Sequence, residues 1–519
     1  MKQRPPSKWL TLFAACFGLL MLYIDLFIVN VALPTIGQDF HTPLSTVSWT
    51  ISGYVLMIGV LPMGIGRLGD LWGQRAVYLA GLAIFTGASL ACGLAPTIVV
   101  LIIFRIIQGI GAAIMTPGTL AIIIRAFPPH EHGLAIGLYG GISGLGLIAG
   151  PVLGGLLVQG ESWRWIFFVN LPLGILALIV TVLFVPAEHE ESESIPVDWL
   201  GLLLLSSGLL FLLFGLTQAG DEGWTNRVVI GSGLLGVVLL VLFVITERRV
   251  RWPLIDLALF RNLPFVMGCL SFFFFSAALF GSQPYWSLFL QNTWGFSPLQ
   301  GGLAFLPATG LIVVLTPLTG ILAQRAKAWR DVFLILALLL NGLSFLFVMV
   351  ALSLQSTYVN GLLPAFLMRG LAIPVFSSCA TLTVMSAVPK KLSGLASGTI
   401  GMARNIGTAF GVAILSQVYL FHINTTIPAS LVASRAAAAQ FRVLGQGASR
   451  LVLENSIVQG FKLIALACLL LCCGAAILVF LVRAQARKKG ITTPTQEQEP
   501  RQPSSFSPVQ RRPTSLVHR

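Results

Sequence analysis

The sequence predicts an all-α polytopic membrane protein with fourteen transmembrane helices, arranged as two six-helix bundles joined by a two-helix linker. Three observations predict it: a composition too apolar for a soluble domain, fourteen long apolar blocks, and an internal repeat. Of the 519 residues, 56% are hydrophobic and 10% charged, whereas soluble domains carry about 25% charged residues. A soluble enzyme, a disordered chain and a disulfide scaffold are excluded. Cys16, Cys92, Cys269, Cys379, Cys468, Cys472 and Cys473 all fall inside apolar blocks. They show no metal-ligand spacing and read as small buried hydrophobes. Neither a metal nor a cofactor is expected.

The apolar blocks run near 10–33, 48–69, 76–95, 98–124, 134–158, 165–185, 198–218, 228–246, 263–291, 299–322, 331–353, 357–386, 394–421 and 457–482. Each is long enough to cross a hydrocarbon core of about 30 Å as a helix. Strands of a membrane barrel would alternate in polarity over about ten residues, and these blocks do not. The first block is too long for the apolar part of a cleavable signal, and no small-residue cleavage site follows it.

Lysine and arginine orient the spans. With the amino terminus placed inside, most of the 32 basic residues fall in inner segments, among them Lys8, Arg67, Arg75, Arg125, Arg248, Arg249, Arg325, Lys327, Lys390 and Lys391. The carboxyl tail adds Arg483, Arg487, Lys488, Lys489 and further arginines. Both termini are therefore expected on the cytoplasmic side of a cell membrane, plasma or inner, crossed many times. The net charge of +14 reports that orientation rather than a nucleic-acid partner.

The repeat aligns Gly133-Leu134-Ala135-Ile136-Gly137 with Gly394-Leu395-Ala396-Ser397-Gly398 without a gap. Downstream, Gly140, Gly146 and Gly150 match Gly401, Gly407 and Gly411. Each stretch opens a span that follows one carrying an arginine, Arg105 or Arg369. Paired halves with matching glycine-rich helices mark secondary transporters. The repeat places the fifth span opposite the thirteenth, which parses the chain into an amino-terminal bundle over 1–190, a linker with two spans over 191–255 and a carboxyl-terminal bundle over 256–483. The segment 484–519, rich in Pro, Gln, Ser and Arg, is expected to be disordered.

Three segments carry chemistry. Gly66-Arg67-Leu68-Gly69-Asp70-Leu71-Trp72-Gly73-Gln74-Arg75 spans a tight inner turn, with Asp70 where a carboxylate favours a helix start. Its charges can hold one bundle against the other, although a capped polar turn accounts for the same residues. On the fourth span, Arg105, Gly109 and Ala112 share one helix face. A buried arginine there costs about 3 kcal/mol or more and needs a partner. Asp25, the acid deepest in a span, is the natural one. Burial and a cation push a carboxyl in opposite directions, so Asp25 can exchange a proton; a static ion pair is the alternative. Gly146, Gly150, Pro151, Gly154 and Gly155 on the fifth span permit close packing and a bend, as ordinary small-residue packing also would.

These segments resemble motifs A, B and C of the major facilitator superfamily. The complete third motif is similar to that of drug:proton antiporters. Asp25-Leu26-Phe27-Ile28-Val29-Asn30-Val31-Ala32-Leu33-Pro34 and Trp163-Arg164-Trp165-Ile166-Phe167-Phe168-Val169-Asn170-Leu171-Pro172-Leu173-Gly174 resemble segments of its fourteen-spanner branch, the QacA/EmrB type. The resemblance implies proton-coupling roles for Asp25 and Arg105 and gating roles for Gly66, Asp70, Gly73 and Arg75. It implies the antiporter motif at Gly146, Gly150, Pro151, Gly154 and Gly155. Asn30, Gln108, Arg369 and Arg404 are expected near a central cavity. Leu71 and Gln74 stand where the motif usually has basic residues, so a thinner inner charge network is expected. The second-half counterpart has Gln324 in place of an aspartate.

The function implied is a proton-coupled antiporter that exports lipophilic or amphipathic small molecules, of the multidrug-efflux type, by alternating access. It would be powered by the proton gradient, monomeric, and partnered by substrate, proton and lipid. The alternatives are a narrow-specificity exporter of a metabolite or antibiotic, or a proton-coupled importer. No catalytic or nucleotide-binding motif of an enzyme is present in the sequence.

Overall fold

A computed structural model describes residues 8–42, 44–47, 49–160, 162–186, 198–250, 253, 257–296, 298–353, 355–389, 392–427 and 448–488. Among the described residues the regular structure is entirely helical. In chain order the helices are α1 (Lys8–Asp39), α2 (Leu44–Val47), α3 (Trp49–Val60), α4 (Pro62–Trp72), α5 (Gln74–Gly93), α6 (Ile98–Ala126), α7 (His132–Gly160), α8 (Trp165–Phe168), α9 (Asn170–Phe184) and α10 (Trp199–Glu222). There follow α11 (Arg227–Glu247), α12 (Leu263–Leu279), α13 (Gln283–Leu288), α14 (Pro298–Ala304), α15 (Leu306–Arg325), α16 (Arg330–Ala351), α17 (Tyr358–Gly361), α18 (Leu363–Ser386), α19 (Ser393–Thr426) and α20 (Ala448–Lys488). Among the described residues, twelve helices are long and apolar enough to cross a membrane, or thirteen if the bent pair α3–α4 is one span. Helix α7, 29 residues long, packs between α1 and α15.

Local sequence explains where the helices start. Thr97 accepts from Val100 N at 3.4 Å ahead of α6, Asp198 from Gly201 N at 2.8 Å ahead of α10, and Asn226 from Val228 N at 2.7 Å ahead of α11. Each fills one of the amide donors that a helix start leaves open. Pro62 starts α4 and cannot donate back along α3, and the two helices meet at 57°. Gly73 then reverses the chain with φ of 92°, a conformation that a side chain disfavours.

Contacts divide the helices. On one side α1, α3, α5, α6, α7 and α9 pack on one another; on the other α12, α15, α16, α18, α19 and α20 do so. The two sets meet where α7 packs on α15 and where α4 and α6 pack on α19. Helices α10 and α11 pair with each other, and α10 touches both α3 and α19. Helix α11 turns Leu234, Val238 and Val241 outward, an apolar face that suits lipid.

Two expectations need correction. The block 263–291 is not one continuous helix: α12 stops at Leu279, and α13 runs into a π-helical turn over Phe289–Thr293. The backbone of Ala277 lies where a Cβ on Gly281 or Gly411 would be, so close packing at this bend favours small residues. The tail boundary also moves, because α20 carries the helix through 484–488; residues 489–519 lie outside the described residues. Residues 187–197 also lie outside them.

Candidate functional site

Asp25 sits mid-way along α1 with its side chain fully buried. Arg105, on α6, donates from Nη1 to Asp25 Oδ2 at 2.6 Å, and both side chains are 0% exposed. The other carboxylate oxygen, Oδ1, accepts from Gln108 Nε2 at 3.0 Å and from Asn170 Nδ2 at 2.9 Å. Arg105 also donates to Gln108 Oε1 at 2.8 Å and, from Nε, to the Thr50 carbonyl at 2.9 Å. Its guanidinium lies over the Tyr54 ring at 4.2 Å. Asn170 is held in turn by Ser89, whose hydroxyl bonds the Phe167 carbonyl. The site thus joins α1, α3, α5, α6 and the start of α9.

This arrangement keeps a buried charge compensated. A charge in a dry interior persists only when paired and hydrogen-bonded, and the ionised form of Asp25 has an ion pair and two amide donors. Among the described residues, Asn170 Oδ1 and Arg105 Nη2 have no hydrogen-bond partner. The cluster thus has hydrogen-bonding capacity to spare. The sequence brought Asp25, Arg105 and Gln108 into view. It missed Asn170, Tyr54 and Thr50, although Asn170 stood inside a quoted segment as a lone amide opening an apolar run.

The Lys8 end of the bundle holds a second polar cluster. Asp70, at the end of α4, accepts from the backbone N–H groups of Gly394 at 3.1 Å and Leu395 at 3.0 Å. It thereby caps α19, 324 residues away in the chain, where a helix start favours a carboxylate. Gln74 donates to Asp70 at 2.8 Å and Arg125, from α6, at 3.1 Å. Gln74, one of the two departures from the motif, and Arg125 thus both hold Asp70. Arg75 instead donates to the Val182 carbonyl on α9 at 2.8 Å. Gly66 packs so closely on Gly394 that a Cβ on either would strike the other's carbonyl oxygen. The repeat is mirrored here, since Gly133 packs on Gly320 in the same way. Gln324 donates to the Pro129 carbonyl at 2.7 Å, a neutral contact beside that junction.

Helix α7 lies against α1 through the third motif. A Cβ on Gly146 would come 2.6 Å from Tyr23 Cβ, and one on Gly150 2.6 Å from Phe27 Cβ. Gly150→Val is therefore expected to part α1 from α7 and cost about 1–3 kcal/mol, read as a lower Tm of the purified protein. Gly154 is buried on the same helix; the side-chain positions of Asn30, Pro151 and Gly155 lie outside the described residues. Arg369 is 3% exposed and stacked between Trp286 and Phe345, each at 4.2 Å. Arg404 on α19 reaches Tyr23 Oη on α1 at 3.2 Å, a bond between the two sets of helices.

Comparison with known proteins agrees with this architecture. The family model described as Major Facilitator Superfamily matches residues 15–412. The tetracenomycin C resistance and export protein of Streptomyces glaucescens is 32% identical over 423 residues, 81% of this chain and 77% of that protein. The multidrug resistance protein Stp of Mycobacterium tuberculosis is 35% identical over 427 residues, 81% of this chain and 78% of that protein. Among solved structures, the proton:xylose symporter XylE superposes with a TM-score of 0.58 at 14% identity, covering 94% of this chain and 96% of the other. The human organic anion transporter MFSD10 gives 0.55 at 17% identity over 89% of this chain and 100% of the other. At such identities the two structures speak for the fold alone. The chain belongs to the Major Facilitator Superfamily and is a transporter, not an enzyme.

Proposed function

We propose that this transporter is a proton-coupled antiporter that exports lipophilic or amphipathic small molecules by alternating access. The observation that carries the reading is the buried Asp25 carboxylate, held by Arg105, Gln108 and Asn170. It is an acid sited to take and release a proton without a bound cofactor. The names of the relatives as resistance and export proteins support the direction of transport, as does the glycine motif on α7. In this reading Asp70 on the start of α19 holds the cytoplasmic side shut while the opposite side exchanges substrate and proton.

The chain fits the fourteen-spanner branch when the bent pair α3–α4 counts as one span and α7 is added to the twelve long apolar helices. The set around α1–α9 forms the first bundle, the set around α12–α20 the second, and α10–α11 the linker pair, whose α10 touches both. The protein works as a monomer in the cell membrane with both termini cytoplasmic.

Cells expressing the chain, loaded with a panel of lipophilic dyes, test the reading. They are expected to hold less dye than control cells, with an uncoupler returning accumulation to the control level. Dye kept low despite the uncoupler contradicts proton coupling. Dye raised by expression contradicts export.

A further inference from the structure

The three arginines within the spans have different surroundings. Arg105 is fully buried against Asp25. Arg369 is buried between two aromatic rings. Arg404 is half-buried where α19 meets α1. The hydrogen bond it makes runs from Nη1 to Tyr23 Oη, which leaves most of its five N–H donors for another acceptor. Besides Tyr23, the phenol of Tyr139 on α7 lies near it. The acid nearest in sequence to Tyr23 is Asp25, two residues along α1, and Arg105, Gln108 and Asn170 already occupy it. The junction between the two sets of helices therefore holds a fixed cation beside two phenols. Gly407, one turn further along α19, packs on the Phe273 backbone of α12, and the Phe273 ring lies 5.4 Å from that of Phe410.

We infer that Arg404 is the recognition point for an acidic oxygen, a phenolate or carboxylate, on the transported molecule, so that the preferred substrates are lipophilic weak acids. The inference rests on the exporter reading. A guanidinium meets such an oxygen through charge-assisted, often bidentate, hydrogen bonds. A lipophilic cation meets like charge instead. On binding, the acidic oxygen replaces Tyr23 Oη on Arg404. Tyr23 is seated against Gly146 of α7 and shares α1 with Asp25, so its release bears on the helix that carries the proton site.

Equilibrium binding to the purified full chain tests this apart from proton coupling, because no gradient is involved. The probes are pyrenebutyrate, its methyl ester and pyrenebutylammonium, with the protein in phosphatidylcholine nanodiscs so that no anionic headgroup competes. The wild type is expected to bind the carboxylate at least about ten-fold more tightly than the other two. Arg404→Gln is expected to bind all three alike, and Arg404→Lys to keep part of the preference. Tyr23→Phe removes the competing acceptor and is expected to tighten carboxylate binding, a readout that stands even where Arg404→Gln folds poorly. Equal binding of the three probes by the wild type overturns the inference, as does a preference kept in Arg404→Gln or unchanged carboxylate affinity in Tyr23→Phe. Loss of uncoupler sensitivity with the carboxylate preference intact counts against the coupling proposal alone.

Discussion

Asp25→Asn is expected to abolish uncoupler-sensitive efflux while the protein stays in the membrane. The amide can still accept from Gln108 or Asn170, but it carries no proton between the two sides. It also leaves Arg105 buried without its counter-charge, and breaking a buried pair costs about 3–5 kcal/mol. A fall in transport is therefore read beside membrane abundance and Tm. The double variant Asp25→Asn with Arg105→Gln removes both charges, so it is expected to recover Tm yet stay inactive. Uncoupler-sensitive efflux regained in the double variant would mean that the pair only holds the fold together.

The second large effect is expected at the Lys8 end of the bundle. Asp70→Ala removes the carboxylate that takes two backbone N–H groups of α19 and pairs with Arg125. A charge-assisted hydrogen bond is worth about 1.5–3 kcal/mol, and about 1.4 kcal/mol is ten-fold in an equilibrium. The closed form should lose at least about ten-fold in population by that measure. Ser397 is buried one turn into α19. A Ser397→Cys reporter should label at least about ten-fold faster with an impermeant maleimide in the Asp70→Ala background, with efflux falling alongside. Gly66→Val, which sets a side chain against the Gly394 carbonyl, is expected to do the same. An unchanged labelling rate in both backgrounds contradicts a closing role for this cluster.

Much of the fold was legible because lipid leaves few options. A long apolar block must satisfy its own backbone, and the helices lie where the blocks do. The breaks were not legible. Pro62 marked the α3–α4 bend only in hindsight, since proline also opens ordinary helices, and the end of α12 depends on close packing with α19. The pairing of Asp25 with Arg105 was legible from need: a deep cation and a deep acid each require a partner. Asn170 was passed over because a neutral amide at a helix start creates no such need. The Asp70 site was only half legible. Its acid and glycines showed in the sequence, but its main donors are the backbone amides of Gly394 and Leu395, which no residue type announces. Arg125 joins it from a helix end where a basic residue first reads as an orientation signal. The repeat told more than expected, since Gly133 and Gly394 each pack on a glycine of the other half.

The central claim is that Asp25 carries the proton exchanged for substrate. The most direct measurement is proton movement in proteoliposomes that enclose a pH dye, after a transported compound is added to one side without an imposed gradient. The account predicts substrate-driven proton counterflow in the wild type and none in Asp25→Asn. Counterflow at the wild-type rate in Asp25→Asn would contradict it.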